Sequence, residues 1–371
     1  MRVAEFFAGI GLVRLGLEAE GARVVWANDI DPMKRTMYVD NFGSDHFILD
    51  DVANVRGDDI PDIDLATASF PCTDLSLAGN RAGLEGRESG TLWQFTRILA
   101  EMKERRPPLI MLENVPGLIT SRGGSDLAGL IARLNDLGYA CHVFVADASW
   151  FVPQSRQRVF VIGTQHPQNA LEAVDFESWQ AQALYPRKLR NFFERHPRLN
   201  LFFQALPLPT APTIDRIEKI VERIPEDDER WWDDQRLQRF VETLAPIHLK
   251  RFNELRDGDT LAWRTAYRRT RNGKSTWEIR EDAIAGCLRA SRGGSSKQAL
   301  VEGGYGKARV RWLTPREYAR LQGVDDSYRI DSVSTNQALF GFGDAVCVPV
   351  IRWIMRHALR PLMVSEVALN A

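Results

Sequence analysis

An α/β fold, built on a doubly wound and mostly parallel sheet with a second, smaller domain of irregular or mixed structure, is what this 371-residue chain predicts. Three observations carry that expectation. Short apolar runs alternate with helical patterns through roughly the first 165 residues. A glycine-containing turn closes the first run. The alternation then breaks near Pro167, where scattered prolines, paired tryptophans and glycines take over.

The elements follow in order. Val3–Phe7 is an apolar run ending in Ala8-Gly9-Ile10-Gly11, and Leu12, Leu15 and Leu17 continue at helical spacing. Val24–Ala27 closes on Asn28-Asp29, and Ile63–Ala68 runs into Ser69-Phe70-Pro71-Cys72. Leu92–Lys103 is an amphipathic helix, and Leu109–Leu112 ends at Glu113-Asn114-Val115-Pro116-Gly117. Leu127–Leu137 is helical up to Gly138, and Ala140–Ala146 and Val159–Gly163 complete the set. Repeated βα units of this length give parallel strands with helices on both faces. Beyond them come a proline-rich stretch at Leu206–Pro212, Trp231-Trp232, and the pairs Gly293-Gly294 and Gly303-Gly304. Helical signals return at Pro315–Gln322, with proline in the first turn, and at Val348–Ala358. The expected division is 1–170, 171–310 and 311–371, the last segment returning to the first domain.

Hydrophobic residues make up 44% and charged residues 26% of the chain, which fits a globular protein. No apolar run reads as a membrane span and the N-terminus does not read as a signal peptide, so a cytoplasmic protein is expected. The four cysteines, Cys72, Cys141, Cys287 and Cys347, form no CxxC pair, so neither a metal site nor a disulfide framework is expected. A net charge of −1 hides an asymmetry: Arg264–Arg311 holds twelve Lys or Arg against four Asp or Glu. Such a segment is either a solvated basic surface or a face that meets a polyanion.

Four places carry chemistry. The turn Phe7-Ala8-Gly9-Ile10-Gly11 lets a ligand approach the backbone ahead of a helix, though alone it reads equally as a tight turn. Asp29, Asp31 and Asp51 follow strands, where acids bind ribose hydroxyls or an adenine amine, or merely cap turns. Cys72 follows Pro71 at the carboxyl end of a strand, as a buried cysteine or as an aimed nucleophile. Glu113 should share that sheet edge, and the spacing of Arg156 and Arg158 in Gln154-Ser155-Arg156-Gln157-Arg158 should aim both side chains to one face.

The order Phe-x-Gly-x-Gly, Pro-Cys, Glu-Asn-Val, Gln-x-Arg-x-Arg resembles the cytosine-5 DNA methyltransferase family. Arg311-Trp312-Leu313-Thr314-Pro315-Arg316-Glu317, Arg320-Leu321-Gln322-Gly323 and Gly341-Phe342-Gly343-Asp344-Ala345-Val346 resemble its ninth and tenth motifs. Two positions depart from the pattern: Leu12 and Asp344 stand where the family often has Gly and Asn. The resemblance implies the S-adenosylmethionine-dependent methyltransferase fold and methyl transfer to C5 of a cytosine flipped out of duplex DNA. It implies Cys72 as the nucleophile on C6, Glu113 at N3 and the exocyclic amine, Arg158 at O2, Arg156 supporting the pocket or a phosphate, and Pro71 shaping the loop. S-adenosylmethionine would be surrounded by Phe7, Gly9, Gly11, Asp29, Ile30, Asp51, Leu92, Asp344 and Ala345. The middle region would be a target-recognition domain, with Arg289, Arg292, Gly293, Gly294 and Lys297 at the DNA. A monomer is expected, partnered by a cognate restriction endonuclease encoded nearby. The rival readings are a transfer-RNA cytosine methyltransferase, a DNA-binding regulator on the same fold, and a nicotinamide dehydrogenase.

Overall fold

The computed structural model describes residues 1–71, 90–167, 179–208, 217–271, 273–289 and 297–363. Cys72, Arg292, Gly293 and Gly294 lie outside the described residues. The chain divides into two units. The first comprises 1–147, 157–208 and 350–371, and the second comprises 148–156 and 209–349. This differs from the expected boundaries at 170 and 310. Chain up to 208 belongs with the first unit because Cys141 bridges to Leu201 and His142 bonds Tyr185. Residues 311–349 belong with the second because Arg311 is part of its sheet.

The first unit is built on a seven-stranded sheet in the order β3-β2-β1-β4-β5-β7-β6. Its strands are β1 (Arg2–Phe6), β2 (Arg23–Asp29), β3 (Phe47–Leu49), β4 (Leu65–Ala68), β5 (Leu109–Asn114), β6 (Ala140–Asp147) and β7 (Gln157–Thr164). Strands β1 to β5 pair in parallel, whereas β7 runs antiparallel to both β5 and β6. Every residue of β4 and β5 is buried, as expected of central strands covered on both faces. The crossover helices are α1 (Leu12–Glu18), α2 (Pro32–Phe42), α3 (Thr91–Glu101) and α4 (Ser125–Asp136). Helix α2 starts where the chain dictates, since the Asp31 carboxylate accepts from Met33 N and Lys34 N while Pro32 takes the first turn. Two short helices, α5 (Trp179–Leu184) and α6 (Arg187–Arg195), follow β7.

The topology places chemistry on one edge. The parallel strands end at Phe6, Asp29, Ala68 and Asn114. Because β7 runs the other way, its start at Gln157-Arg158 meets that same edge.

The second unit carries a four-stranded antiparallel sheet in the order β11-β10-β8-β9. Its strands are β8 (Ala262–Arg271), β9 (Lys274–Ile279), β10 (Ala299–Gly304) and β11 (Lys307–Trp312). Helices α7 (Asp234–Glu242) and α8 (Pro246–Arg256) supply Phe240, Phe252 and Leu255 to a core with Trp232, Trp277, Val301 and Val310. Helix α9 (Pro315–Leu321) opens with a reciprocal cap between Thr314 and Glu317. The stretch 335–363 holds α10 (Thr335–Asp344) and α11 (Val348–Ile354). It is long and apolar enough to cross a membrane by composition, contrary to the expectation from the sequence, but 72% of its apolar window is buried in protein, as in a core helix.

Candidate active site

The turn after β1 is held in a shape that few side chains favour. Phe7, Gly9 and Gly11 have φ of 55°, 58° and 81°. A phenylalanine in the left-handed region costs about 1–3 kcal/mol, which neighbouring contacts must offset. They do so through Ala8 N donating to Asn28 O at 2.9 Å and Gly9 N donating to Asp29 Oδ2 at 2.8 Å. The two glycines serve different ends. A side chain at Gly11 would strike the ring of Phe42 at 2.4 Å, so the protein's own packing requires it. Among the described residues, a side chain at Gly9 would meet nothing nearer than Phe7 O at 4.0 Å. Leu12, one of the two departures from the family pattern, is buried in the core.

Asp29 holds the turn and, through Oδ1, the amide of Asp31 at 2.9 Å. A carboxylate is an acceptor with about four lone-pair positions, the chemistry that ribose hydroxyls require. Ile30, the next residue, is 63% exposed, unusual for so apolar a side chain beside a buried acid. Exposed Asp51 caps the following short turn by accepting from Ala53 N at 2.9 Å. Leu92, at the start of α3, is wholly buried, so it backs the core and presents no open face.

Glu5, which interrupts the first apolar run, was given no chemical role in the sequence. It lies in β1 two residues before Phe7, is 1% exposed, and accepts from Arg14 N at 3.2 Å. Burial pushes its carboxyl up from 4.5 to about 8, against the lowering pull of Arg14. The signal was available as a lone acid inside an apolar run. Between about pH 4.5 and pH 8 the unfolded chain has lost this proton and the native one keeps it. The unfolded state therefore binds fewer protons, and stability falls as pH rises through that window. Glu5→Gln is expected to flatten this fall and raise the melting temperature at pH 9. A variant whose melting temperature tracks the parent at every pH would refute the assignment.

On the catalytic edge, Glu113 is 8% exposed and its Oε1 lies 2.9 Å from Nε of Arg158. The pair follows from antiparallel pairing of β5 and β7, with Glu113 opposite Phe160 and Arg158 two residues along on the same face. Asn114 donates to the carbonyl of Phe70 at 3.0 Å, tying the end of β5 to the residue before half-buried Pro71. Glu113, Arg158 and the approach to Cys72 are thus brought to one edge, along with the Phe7–Gly11 turn. A surface cleft of about 780 Å³, lined by Ala53–Asp58 and by Arg97 and Glu101–Arg105, contains none of these residues.

Arg156 behaves otherwise than its spacing suggests. It precedes β7, belongs to the second unit, and is 3% exposed. Its guanidinium donates to the carbonyls of Leu288 at 2.8 Å and Ala345 at 2.6 Å. Arg156 lies outside the strand, where alternation does not apply, and is a buried strut with no surface for a phosphate. Buried amides surround it, all missed in the sequence. Gln154 donates to Leu321 O at 2.7 Å, and Gln322 donates to Phe342 O at 2.6 Å. In this unit Asp344 is exposed at the end of α10, and Ala345 is half-buried beside Arg156.

The basic segment is also less free than its composition implies. Its acids Glu278, Asp282 and Glu302 pair with Arg269, Arg280 and Arg309, and Glu281 pairs with Arg251. Arg311 and Glu317 form an ion pair with both side chains 0% exposed, so Arg311 belongs to the core. Arg289 is exposed, and Lys297 donates to Asn336 at 2.6 Å.

Comparison with known proteins places the chain in a family and a fold. Residues 1–360 match the family described as C-5 cytosine-specific DNA methylase. The chain is 27% identical over 368 residues to the type II methyltransferase M.Bsp6I of Bacillus sp. (strain RFL6), covering 98% of this chain and 100% of that protein. It is 28% identical over 361 residues to the type II methyltransferase M.HhaI of Haemophilus parahaemolyticus, covering 95% and 93%. In fold it is similar to the S. pombe Dnmt2 methyltransferase, with a TM-score of 0.62 and 17% identity over 98% of this chain and 99% of that one. The Entamoeba histolytica methyltransferase EhMeth gives a TM-score of 0.63 and 16% identity over 98% of each chain.

Proposed function

This chain belongs to the C-5 cytosine-specific DNA methylase family and is a DNA cytosine-5 methyltransferase, and from that premise we propose how its residues act. It methylates C5 of a cytosine in a specific duplex sequence, with S-adenosylmethionine as donor and Cys72 as covalent nucleophile. One observation carries the reading: a nearly buried carboxylate–guanidinium pair, Glu113–Arg158, stands on the sheet edge where β4 leads into Phe70-Pro71.

The residues fit the cofactor. The backbone of Gly9, which no described residue crowds, the apolar face of exposed Ile30 and the carboxylates of Asp29 and Asp51 suit a nucleoside bearing a methionine chain. When bound, S-adenosylmethionine supplies a methyl group on a positively charged sulfur. Phe7, Gly9 and Gly11 shape its cradle, Asp29 holds the ribose, Ile30 covers the base, and Asp51 takes the adenine amine.

Cytosine C5 is a poor nucleophile. Addition of the Cys72 thiolate to C6 moves an electron pair to C5, and Glu113 and Arg158 draw the charge that develops at N3 and O2. After methylation a solvent water takes the C5 proton, the C–H electron pair restores the C5–C6 double bond, and Cys72 leaves as thiolate. The base must leave the helical stack to reach this edge, at a cost of roughly a few kcal/mol. Exposed Arg289 and the basic segment around it hold phosphates, so binding weakens with salt. The relatives are named type II methyltransferases, and this supports a role as the methylase of a restriction–modification system, acting as a cytoplasmic monomer beside a cognate endonuclease.

A duplex carrying 5-fluorocytosine tests the mechanism, because fluorine cannot leave as a proton does. A denaturant-stable protein–DNA adduct is expected in the presence of S-adenosylmethionine. Methylation without any such adduct would count against covalent catalysis. Bisulfite sequencing of DNA from expressing cells should show one methylated cytosine within a fixed sequence, and activity confined to transfer RNA would favour the rival substrate.

A further inference from the structure

Two buried asparagines stand at strand ends on the chemical edge of the sheet, and each reaches across to the loop leaving the neighbouring strand. Asn28, 1% exposed, ends the run of β2 beside Asp29; its amide donates to Ile48 O at 3.1 Å and to Asp50 O at 2.9 Å. Asn114, 3% exposed, ends β5, and its amide donates to Phe70 O at 3.0 Å. The orientation of the Asn114 amide follows from its oxygen, which accepts from Val115 N at 2.8 Å.

These bonds do what the sheet ladder cannot. Strand β4 stops at Ala68, so the carbonyl of Phe70 lies beyond the ladder with β5. A buried carbonyl left without a donor costs stability and lets the chain wander. Asparagine is short enough to stay in the strand end and carries two N–H donors. The residues that follow the pinned carbonyls are the ones with chemistry. Asp51 comes one residue after Asp50, and Cys72 comes two residues after Phe70. Asn28 also accepts from Ala8 N through its main-chain oxygen, so one residue fixes both the glycine turn and the Asp51 turn.

We propose that Asn28 and Asn114 are positioning residues with separate tasks: Asn28 sets the cofactor loops, and Asn114 sets the direction in which the chain leaves β4 toward Cys72. The assignment rests on the reading of Cys72 as nucleophile and goes beyond it by dividing affinity from chemistry between two like residues.

A crossed pair of variants tests it in the full-length enzyme. Asn28→Ala, which removes both amide hydrogen bonds, is expected to raise KM for S-adenosylmethionine about tenfold or more with kcat moved by less than about threefold. Asn114→Ala is expected to slow adduct formation on a 5-fluorocytosine duplex by about tenfold or more, with KM for S-adenosylmethionine within about twofold of the parent. Asn114→Ser, which restores a small donor, should recover part of that rate, and it replaces the alanine variant if the latter does not fold. A common loss in both readouts for both variants would mean general destabilisation and overturn the division of tasks, as would parental values in both. If the parent itself methylates without forming an adduct, the Cys72 reading falls; kcat at saturating S-adenosylmethionine then becomes the readout for Asn114, and the split still decides.

Discussion

Cys72→Ser is expected to abolish methyl transfer, with a loss of about 10⁴-fold or more, while duplex and cofactor affinities stay within a few fold. The reason is the difference between a thiol and a hydroxyl. A cysteine thiol ionises near pH 8.5, so a useful fraction is thiolate near neutrality. A serine hydroxyl is essentially never ionised there, and this site shows no serine-activating histidine: among the described residues, the buried histidine is His142, which pairs with Tyr185. Single-turnover transfer of labelled methyl, alongside a mobility-shift measurement of binding, checks both halves. A serine variant that still methylates at the parental rate would show that another group attacks C6.

Glu113 carries the second large effect. Glu113→Gln is expected to lower kcat by about 10²–10⁴-fold, the usual range for a positioned acid or base. The amide keeps the shape and still accepts from Arg158 through its oxygen, so its melting temperature should stay near the parent's. Glu113→Ala should lose as much rate and also melt earlier, because it leaves the Arg158 guanidinium, itself mostly buried, without its carboxylate. Thermal melts and steady-state rates for the two variants separate the chemical from the structural part. A glutamine variant at parental kcat would remove the Glu113 carboxyl group from the chemical step.

Much of the first unit was legible because its central strands are buried on both faces and read as unbroken apolar runs, as in Leu109–Leu112. The direction of β7 was not, since an apolar run carries no sign of which way it runs. That missing sign mattered for Arg156 and Arg158: only the reversed strand brings Arg158 to Glu113, and Arg156 lies just outside the strand, where spacing arguments lapse. In the second unit α9 was read at Pro315–Gln322, but α7 went unread although Leu237, Phe240, Val241 and Leu244 recur at helical spacing. Its strands hid behind charge. Ala262–Arg271 looked like a basic run, yet Ala266 faces the core while Trp263 on the other face bonds Glu302 at 2.8 Å. Buried amides such as Asn28, Asn114 and Gln154 leave no compositional trace, because their role depends on carbonyls distant in the sequence.

Glu20, just beyond α1, is met by Arg352 at 3.2 Å and Arg356 at 2.8 Å, with Arg360 donating to its main-chain oxygen at 2.5 Å. Its partners are synthesised more than 330 residues later. At about 5–20 residues per second, a ribosome takes on the order of tens of seconds to deliver them. During that interval the emerging N-terminal segment lacks the three cations that will neutralise this carboxylate. Turns made long after residue 20 therefore close the unit that began first, and a nascent chain stalled before residue 350 would be a natural client for chaperones.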